Sequence, residues 1–101
     1  MKIAIASEGN SINDKMDSRF GRCAFFAIYD TDTKDTRFLP NPGKNASGGA
    51  GPATVRFVAQ QGAQKIVATE LGGKALDMLN NLNIELIYDK DKTISEIISK
   101  F

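Results

Sequence analysis

The pattern of apolar and polar positions predicts five short β-strands along the chain. The first run, Lys2–Ser7, places Ile3 and Ile5 on one face and two alanines on the other. A strand that is apolar on both faces is typical of the buried centre of a sheet. The later runs are rich in aromatic and aliphatic residues, which favour strands. They are Cys23–Asp30, Thr36–Leu39, Lys65–Thr69 and Ile84–Tyr88.

Three helices are predicted in the second half of the chain. Pro52 stands at a first-turn position and opens a helix that runs to about Gln61, where a glycine supplies a C-terminal stop. A second helix is predicted over Lys74–Leu82, because its leucines lie on one helical stripe. The third, Thr93–Lys100, starts with a threonine and has Glu96 three residues later, which matches a capping box.

The resulting order of elements is β-β-β-α-β-α-β-α. A tight polar turn at Thr31–Asp35 favours an antiparallel hairpin of the second and third strands. The alternation of strands and helices that follows implies parallel crossovers, with helices on both faces of the sheet. No repeat or linker divides the chain, so we expect residues 1–101 to form one domain. Its predicted fold class is α/β, a three-layer α/β/α domain with a five-stranded mixed sheet.

This topology brings several loops to one edge of the sheet. If the first strand runs upward, the hairpin makes the second run down and the third run up, and the crossovers carry the last two strands up. Ligands of open α/β sheets bind at the carboxyl ends of the parallel strands. That edge is expected to collect Ser18–Cys23, Asn41–Gly51 and Glu70–Lys74.

Composition excludes several classes of function. The net charge is +1, with 13 basic and 12 acidic residues and no basic cluster, so neither nucleic acid nor a membrane surface is an expected partner. No apolar run approaches the ~20 residues of a membrane span. The N-terminus passes directly into the first strand without a signal-peptide pattern, which predicts a cytoplasmic location.

The chain contains no histidine, which excludes Ser-His-Asp and Cys-His catalysis and histidine-based zinc sites. The only cysteine, Cys23, has two interpretations. It is either a soft-metal ligand or a small buried hydrophobe. As a ligand it would need further ligands from a partner or a second chain, because one thiol cannot chelate a metal.

Two other features are consistent with an anion site but also with ordinary loops. Arg19 and Arg22 would hold an oxoanion or thioanion through their guanidinium groups, or they are solvated loop residues. Gly48, Gly49 and Gly51 precede a predicted helix start, where backbone N–H groups attract anions. This loop is equally compatible with a flexible connection, and its few apolar anchors predict mobility in the free protein.

Motifs of phosphate and nuclease chemistry do not match. The Gly73-Lys74 pair lacks the glycine and the Ser/Thr that a Walker A loop requires around it, and Thr54 occupies the third glycine position of a dinucleotide fingerprint. A two-metal nuclease would need a carboxylate on the first strand, which has none. No acid–base pair or activated nucleophile is identifiable, so an enzyme is not expected.

Five segments together resemble the dinitrogenase iron–molybdenum cofactor biosynthesis family. They are Lys2–Ser7, the Ser-Arg-Phe-Gly-Arg-Cys segment at 18–23, Phe25–Asp30, the Asn41 loop with Gly49-Ala50-Gly51, and Glu70–Ala75. The resemblance extends from Met1 to about Tyr88 and is to stand-alone, single-domain members of the family. It implies a ribonuclease-H-like fold without nuclease activity. It also implies a non-catalytic role in binding, carrying or assembling a metal–sulfur cofactor of iron, molybdenum, or molybdenum with copper.

The resemblance also implies which residues hold such an anionic cofactor. The expected cofactor-binding residues are Ser18, Arg19, Gly21, Arg22, Lys44, Gly48, Gly49, Gly51, Gly72 and Gly73, with Cys23 as a candidate metal ligand. Relatives associated with nitrogenase often carry histidine near the glycine-rich loop, whereas residues 46–49 contain none. Histidine ligation is therefore impossible here, and a role with nitrogenase is in question.

Two hypotheses follow. The chain is a carrier or assembly module for the cofactor, with cofactor-assembly proteins as partners and a monomeric or weakly dimeric state. Alternatively, it is a protein-interaction or regulatory domain of the same fold without a cofactor.

Overall fold

The computed structural model describes residues 1–45 and 48–101. In these residues it contains five strands and three α-helices in the predicted order, and one short 3-10 helix that was not predicted. The strands are β1 (Lys2–Ser7), β2 (Phe25–Asp30), β3 (Thr36–Pro40), β4 (Ala63–Ala68) and β5 (Glu85–Tyr88). The helices are the 3-10 helix (Phe20–Arg22), α1 (Ala50–Gln60), α2 (Gly73–Asn81) and α3 (Ile94–Ile98).

The sheet order is β3-β2-β1-β4-β5, which places β1 in the centre as its two apolar faces predict. β2 pairs antiparallel with β1 and β3, while β4 runs parallel to both β1 and β5. The register puts Ser7 opposite Phe25 and Phe25 opposite Pro40. The end of β1, the start of β2 and the end of β3 therefore share one edge, together with the ends of β4 and β5. This edge is called the rim below, and the predicted arrangement of strand ends along it is confirmed.

Two separate groups of buried residues cover the two faces of the sheet. Ala4 and Ala6 belong to the group that includes Val55 and Val58 of α1 and Leu79 of α2. Ile3 and Ile5 belong to the other group, which includes Ile94 and Ile97 of α3. Helices on both faces of one mixed sheet make a three-layer α/β/α fold. Apolar burial on both sides of β1 supplies its main stabilisation.

Several predicted boundaries were wrong. β2 begins at Phe25 rather than Cys23, because residues 20–22 form the 3-10 helix and the Cys23 carbonyl is bound by the Asn41 side chain. α1 begins two residues before Pro52, because Gly49 adopts a left-handed φ of 65° and caps the helix there. Pro52 then still lies in the first turn, where its missing N–H costs no hydrogen bond.

Smaller differences concern the other elements. β3 extends to Pro40, which an edge strand tolerates. β4 starts earlier than predicted, at Ala63, and α3 is shorter, although its capping box of Thr93 and Glu96 is confirmed. The mobility expected for the Asn41–Gly51 loop falls partly on residues 46 and 47, outside the described residues. Among the described helices, none is long and apolar enough to cross a membrane.

Candidate functional site

A cleft of about 650 Å³ opens at the rim, within the volume range of small-molecule sites. Its walls come from the 3-10 helix and the residue before it, the start of α1, the β4–α2 loop and the start of α2. The lining residues are Arg19, Phe20, Gly21, Arg22, Gly49, Ala50, Gly51, Pro52, Glu70, Leu71, Gly72, Gly73, Lys74 and Ala75. Three segments far apart in sequence thus meet in one concave surface.

Seven of the predicted cofactor-binding residues line this cleft: Arg19, Gly21, Arg22, Gly49, Gly51, Gly72 and Gly73. Ser18, Lys44 and Gly48 are exposed near it but are not among the lining residues. Lys44 is connected indirectly, because its backbone oxygen accepts a hydrogen bond of 3.2 Å from Arg22 Nη1. Lys74 lines the cleft and adds a cation that sequence reasoning placed at the rim but did not assign to binding.

The N-termini of α1 and α2 meet in the cleft. Their cap residues are Gly49 and Gly72, and neither of these two helices has a side-chain cap. A Cβ added to Gly51 would lie only 3.2 Å from the Ala75 Cβ, so the two first turns are in close contact. The first-turn N–H groups of both helices, together with their dipoles, give the cleft positive potential. Two such ends at one place are suited to an anion.

The glycines of the cleft have two different roles. A Cβ on Gly21 would lie 3.0 Å from the Gly51 nitrogen and 3.2 Å from the Ala50 carbonyl carbon. Gly21 therefore allows the 3-10 helix to pack directly against the first turn of α1. At Gly72 and Gly73, in contrast, an added Cβ would meet nothing within 4 Å. These two glycines leave room above the N-terminus of α2 where a ligand could approach the backbone.

Arg19 is paired with a buried carboxylate. Its Nε and Nη2 donate to Asp17 Oδ1 and Oδ2 at 3.2 and 3.1 Å. Asp17 is 2% exposed, whereas the Arg19 side chain is 66% exposed. The Asp17 carboxylate raises the pKa of Arg19, so the guanidinium is charged at any working pH. Arg19 is thus a largely exposed loop residue, as one of its two interpretations has it, but two of its five guanidinium N–H groups are held by Asp17.

Phe20 is buried and its ring packs edge-to-face on Phe26, so this side chain belongs to the core. Cys23 is also fully buried, and its Sγ lies 3.6 Å from the amide nitrogen of Asn41. Burial raises the pKa of the Cys23 thiol to about 12, and the nearby Asp17 charge adds to this. The thiol is therefore protonated near neutral pH, and the buried alternative describes Cys23 in this structure. No group of three or more metal-ligating residue types is found in the described part of the chain.

Asn41 organises the cleft from below, a role that the sequence did not reveal. Its Nδ2 donates to the carbonyl oxygens of Gly21 and Cys23, each at 3.1 Å. Its Oδ1 accepts from the Gly43 N–H at 2.9 Å and from the Thr54 hydroxyl at 3.2 Å. This buried amide ties the 3-10 helix, the loop after β3 and α1 together. Two features of the sequence could have indicated this role. Asn41 lies between two prolines, and Thr54 stands where a dinucleotide-binding fingerprint would have its third glycine.

Comparison with known proteins places these features in a family context. A family model described as "dinitrogenase iron-molybdenum cofactor" matches residues 1–101. An uncharacterised protein of Methanocaldococcus jannaschii is 27% identical over 104 residues, which cover 100% of this chain and 85% of the relative.

Two solved structures have the same fold. The apo form of the orange protein from Desulfovibrio gigas superposes with a TM-score of 0.92 at 28% identity, covering 99% of this chain and 85% of that one. A NifB-like protein from Thermotoga superposes with a TM-score of 0.85 at 27% identity and the same coverage.

Proposed function

Because the chain belongs to the dinitrogenase iron–molybdenum cofactor family, we propose that it holds an anionic metal–sulfur cofactor in the rim cleft, as a non-catalytic carrier or assembly module. The family and the similar structures support a cofactor-associated carrier or assembly role at the general level. The cofactor type and the site are the specific parts of the proposal. The cofactor is the cargo, an iron–sulfur, molybdenum–sulfur or molybdenum–copper–sulfur species.

The observation that carries this proposal is the meeting of two helix N-termini in one cleft whose side-chain cations are Arg19, Arg22 and Lys74. Sulfur-rich metal clusters carry net negative charge over their outer sulfur atoms. Backbone N–H groups and cationic side chains stabilise such charge without forming a bond to the metal. The donors of this cleft therefore fit the outer surface of the cargo.

Direct ligation of the metal fits the chain less well. Cys23 is fully buried and is not among the residues that line the cleft, so its thiol is not presented to the cargo. The described residues also bring no three His, Cys, Asp or Glu side chains together. We therefore propose non-covalent holding, in which coordination is complete within the cargo and the protein supplies charge and shape. Such a mode suits a carrier, because release requires no ligand exchange at the metal.

The proposal is tested by anaerobic titration of isotopically labelled protein with tetrathiomolybdate, alone and with copper or iron. Amide chemical shifts are followed, with molybdate and sulfate as control anions. We expect saturable shifts confined to residues 18–23, 41–51 and 72–75. An absence of shifts, or shifts scattered over the surface, would refute the site. It would favour a protein-interaction domain without a cofactor.

A pair of matched variants separates local from general charge effects. Lys74→Gln removes one positive charge from the cleft, and Lys34→Gln removes one from the β2–β3 turn at the opposite end of the sheet. A partly screened charge at a site is worth about 1 kcal/mol, so Lys74→Gln should weaken tetrathiomolybdate binding by about fivefold. Lys34→Gln should leave the affinity unchanged. Equal effects of the two variants would indicate general attraction by net charge and would contradict a specific cleft.

A further inference from the structure

Asp17 is a buried carboxylate directly behind a cationic wall of the cleft. It is 2% exposed, and its backbone N–H donates to the Ala6 carbonyl at the end of β1, 2.8 Å away. Its Oδ1 accepts the backbone N–H of Arg19 at 2.9 Å in addition to the guanidinium contacts. The central strand therefore holds the carboxylate in place beneath the rim.

Arg19 faces both this carboxylate and the cleft. Its guanidinium has five N–H groups, of which Nε–H and one Nη2–H donate to Asp17. The remaining N–H groups lie on the far edge of the fork, and the side chain lines the cleft and is 66% exposed. An anion in the cleft and the Asp17 carboxylate must then share the charge of one guanidinium.

The net effect of Asp17 on an anionic ligand depends on two opposing contributions. Holding Arg19 in one orientation avoids the cost of ordering it on binding, which is worth about two- to tenfold in affinity. Repulsion between the carboxylate and an anion at roughly 7 Å weakens binding about threefold per ligand charge in a water-like dielectric, and by tens of fold at the effective dielectric of a protein surface. At the effective dielectric of a protein surface, repulsion therefore exceeds the benefit of orientation for cargo with two negative charges.

We propose that Asp17 is an affinity-determining residue that competes with anionic cargo for Arg19 and keeps binding weak enough for release. This inference rests on the proposed function, because it concerns the same cleft. A carrier must give up its cargo to an acceptor. When the cargo leaves, the Asp17 carboxylate takes up the whole of the Arg19 charge, so neither group is left unpaired.

The test measures tetrathiomolybdate affinity anaerobically for the full chain and for Asp17→Asn, Arg19→Gln and the double variant. Asparagine has the shape of aspartate and still accepts the Arg19 backbone N–H, but it carries no charge. We expect Asp17→Asn to bind at least about threefold more tightly. The gain should be larger when Arg19 is replaced by glutamine, because the repulsion by Asp17 remains while the benefit of a held guanidinium is absent.

Glu85→Gln is the control. It removes one negative charge at the start of β5, at the opposite edge of the sheet from the rim, and should leave the affinity unchanged. Asp17→Asn binding that is weaker than or equal to that of the unmodified chain would overturn the inference. An equal gain with and without Arg19 would overturn it as well, because the effect of Asp17 on binding would then not depend on Arg19.

A measurement on the unmodified chain avoids dependence on the stability of the variants. At saturation with tetrathiomolybdate, the side-chain Nε–H resonance of Arg19 and the carboxyl carbon resonance of Asp17 should both shift. Unchanged resonances would refute competition even where the probe binds. Binding by Asp17→Asn alone supports the inference, and binding by neither protein overturns it together with the proposed function. If the unmodified chain binds and Asp17→Asn binds no better, the inference alone is wrong.

Discussion

Two glycines that line the same cleft should respond oppositely to substitution by alanine. At Gly73, the first residue of α2, an added Cβ meets nothing within 4 Å and the backbone φ is not positive. Gly73→Ala should therefore leave the free energy of unfolding unchanged or raise it by about 0.4–1 kcal/mol, because alanine has less freedom in the unfolded chain. Its methyl group would, however, stand where a ligand approaches the N–H groups of α2. A lost hydrogen bond to a charged group is worth about 1.5 kcal/mol or more, so tetrathiomolybdate affinity should fall at least about tenfold.

At Gly21 the added Cβ would lie 3.0 Å from the Gly51 nitrogen, and backbone atoms cannot move aside as a flexible side chain can. Gly21→Ala should therefore force the 3-10 helix away from α1. Overpacking of this kind costs about 1–3 kcal/mol, which corresponds to a fall of at least about 4 °C in Tm for a chain of this size. The variant should lose stability and affinity together.

The assay combines urea unfolding followed by circular dichroism with the amide-shift titration, and each variant is the control for the other. The reasoning is refuted if Gly73→Ala destabilises the fold as much as Gly21→Ala does. It is also refuted if Gly73→Ala keeps full affinity, since the open space above α2 would then not be where the ligand lies.

Three further predictions concern groups outside the glycine-lined wall. The buried Cys23 thiol has a pKa of about 12, so its thiolate fraction at pH 8 is roughly 10⁻⁴. Iodoacetamide should therefore alkylate Cys23 orders of magnitude more slowly in the folded protein than in protein unfolded by guanidinium. Hydrogen bonds from Lys100 and Lys92 hold the pKa of Asp89 well below its usual range. The ionised Asp89 therefore stabilises the fold fully above its unfolded pKa of about 3.9, and this stabilisation is lost as pH falls below that value. Asp89→Asn should flatten the acid limb of a plot of unfolding free energy against pH. Thr93→Ala removes the capping-box hydroxyl of α3 and should cost about 1 kcal/mol in urea unfolding.

Each of these three has a clear contradicting result. Comparable alkylation of the folded and unfolded protein would show that Cys23 is accessible. An acid limb of the same slope in Asp89→Asn would mean that other carboxylates govern acid unfolding. An unchanged unfolding midpoint in Thr93→Ala would indicate that packing of Ile94 and Ile97 alone positions α3.

The order of the elements could be predicted from the sequence because its signals act over a few residues. Alternation of side chains along β1 depends only on neighbouring positions, and so does the Thr93 capping box. The rim could also be predicted, because strand direction follows from connection type. The predicted boundaries failed at Cys23, which follows a 3-10 helix and lies before β2, and at Gly49, which caps α1 in a left-handed conformation.

The sequence by itself determined the family, the strand and helix order and the edge of the sheet at which the cleft lies. Only the tertiary structure decided what each polar residue does there. Asn41 reaches Gly21 across 20 positions, and Thr54 reaches it across 33, so no local pattern reports these contacts. The Asp17–Arg19 pair is close in sequence, but its effect depends on a strand end that buries one partner and a cleft that exposes the other. Burial and charge are properties of the packed molecule, and they gave these residues their roles.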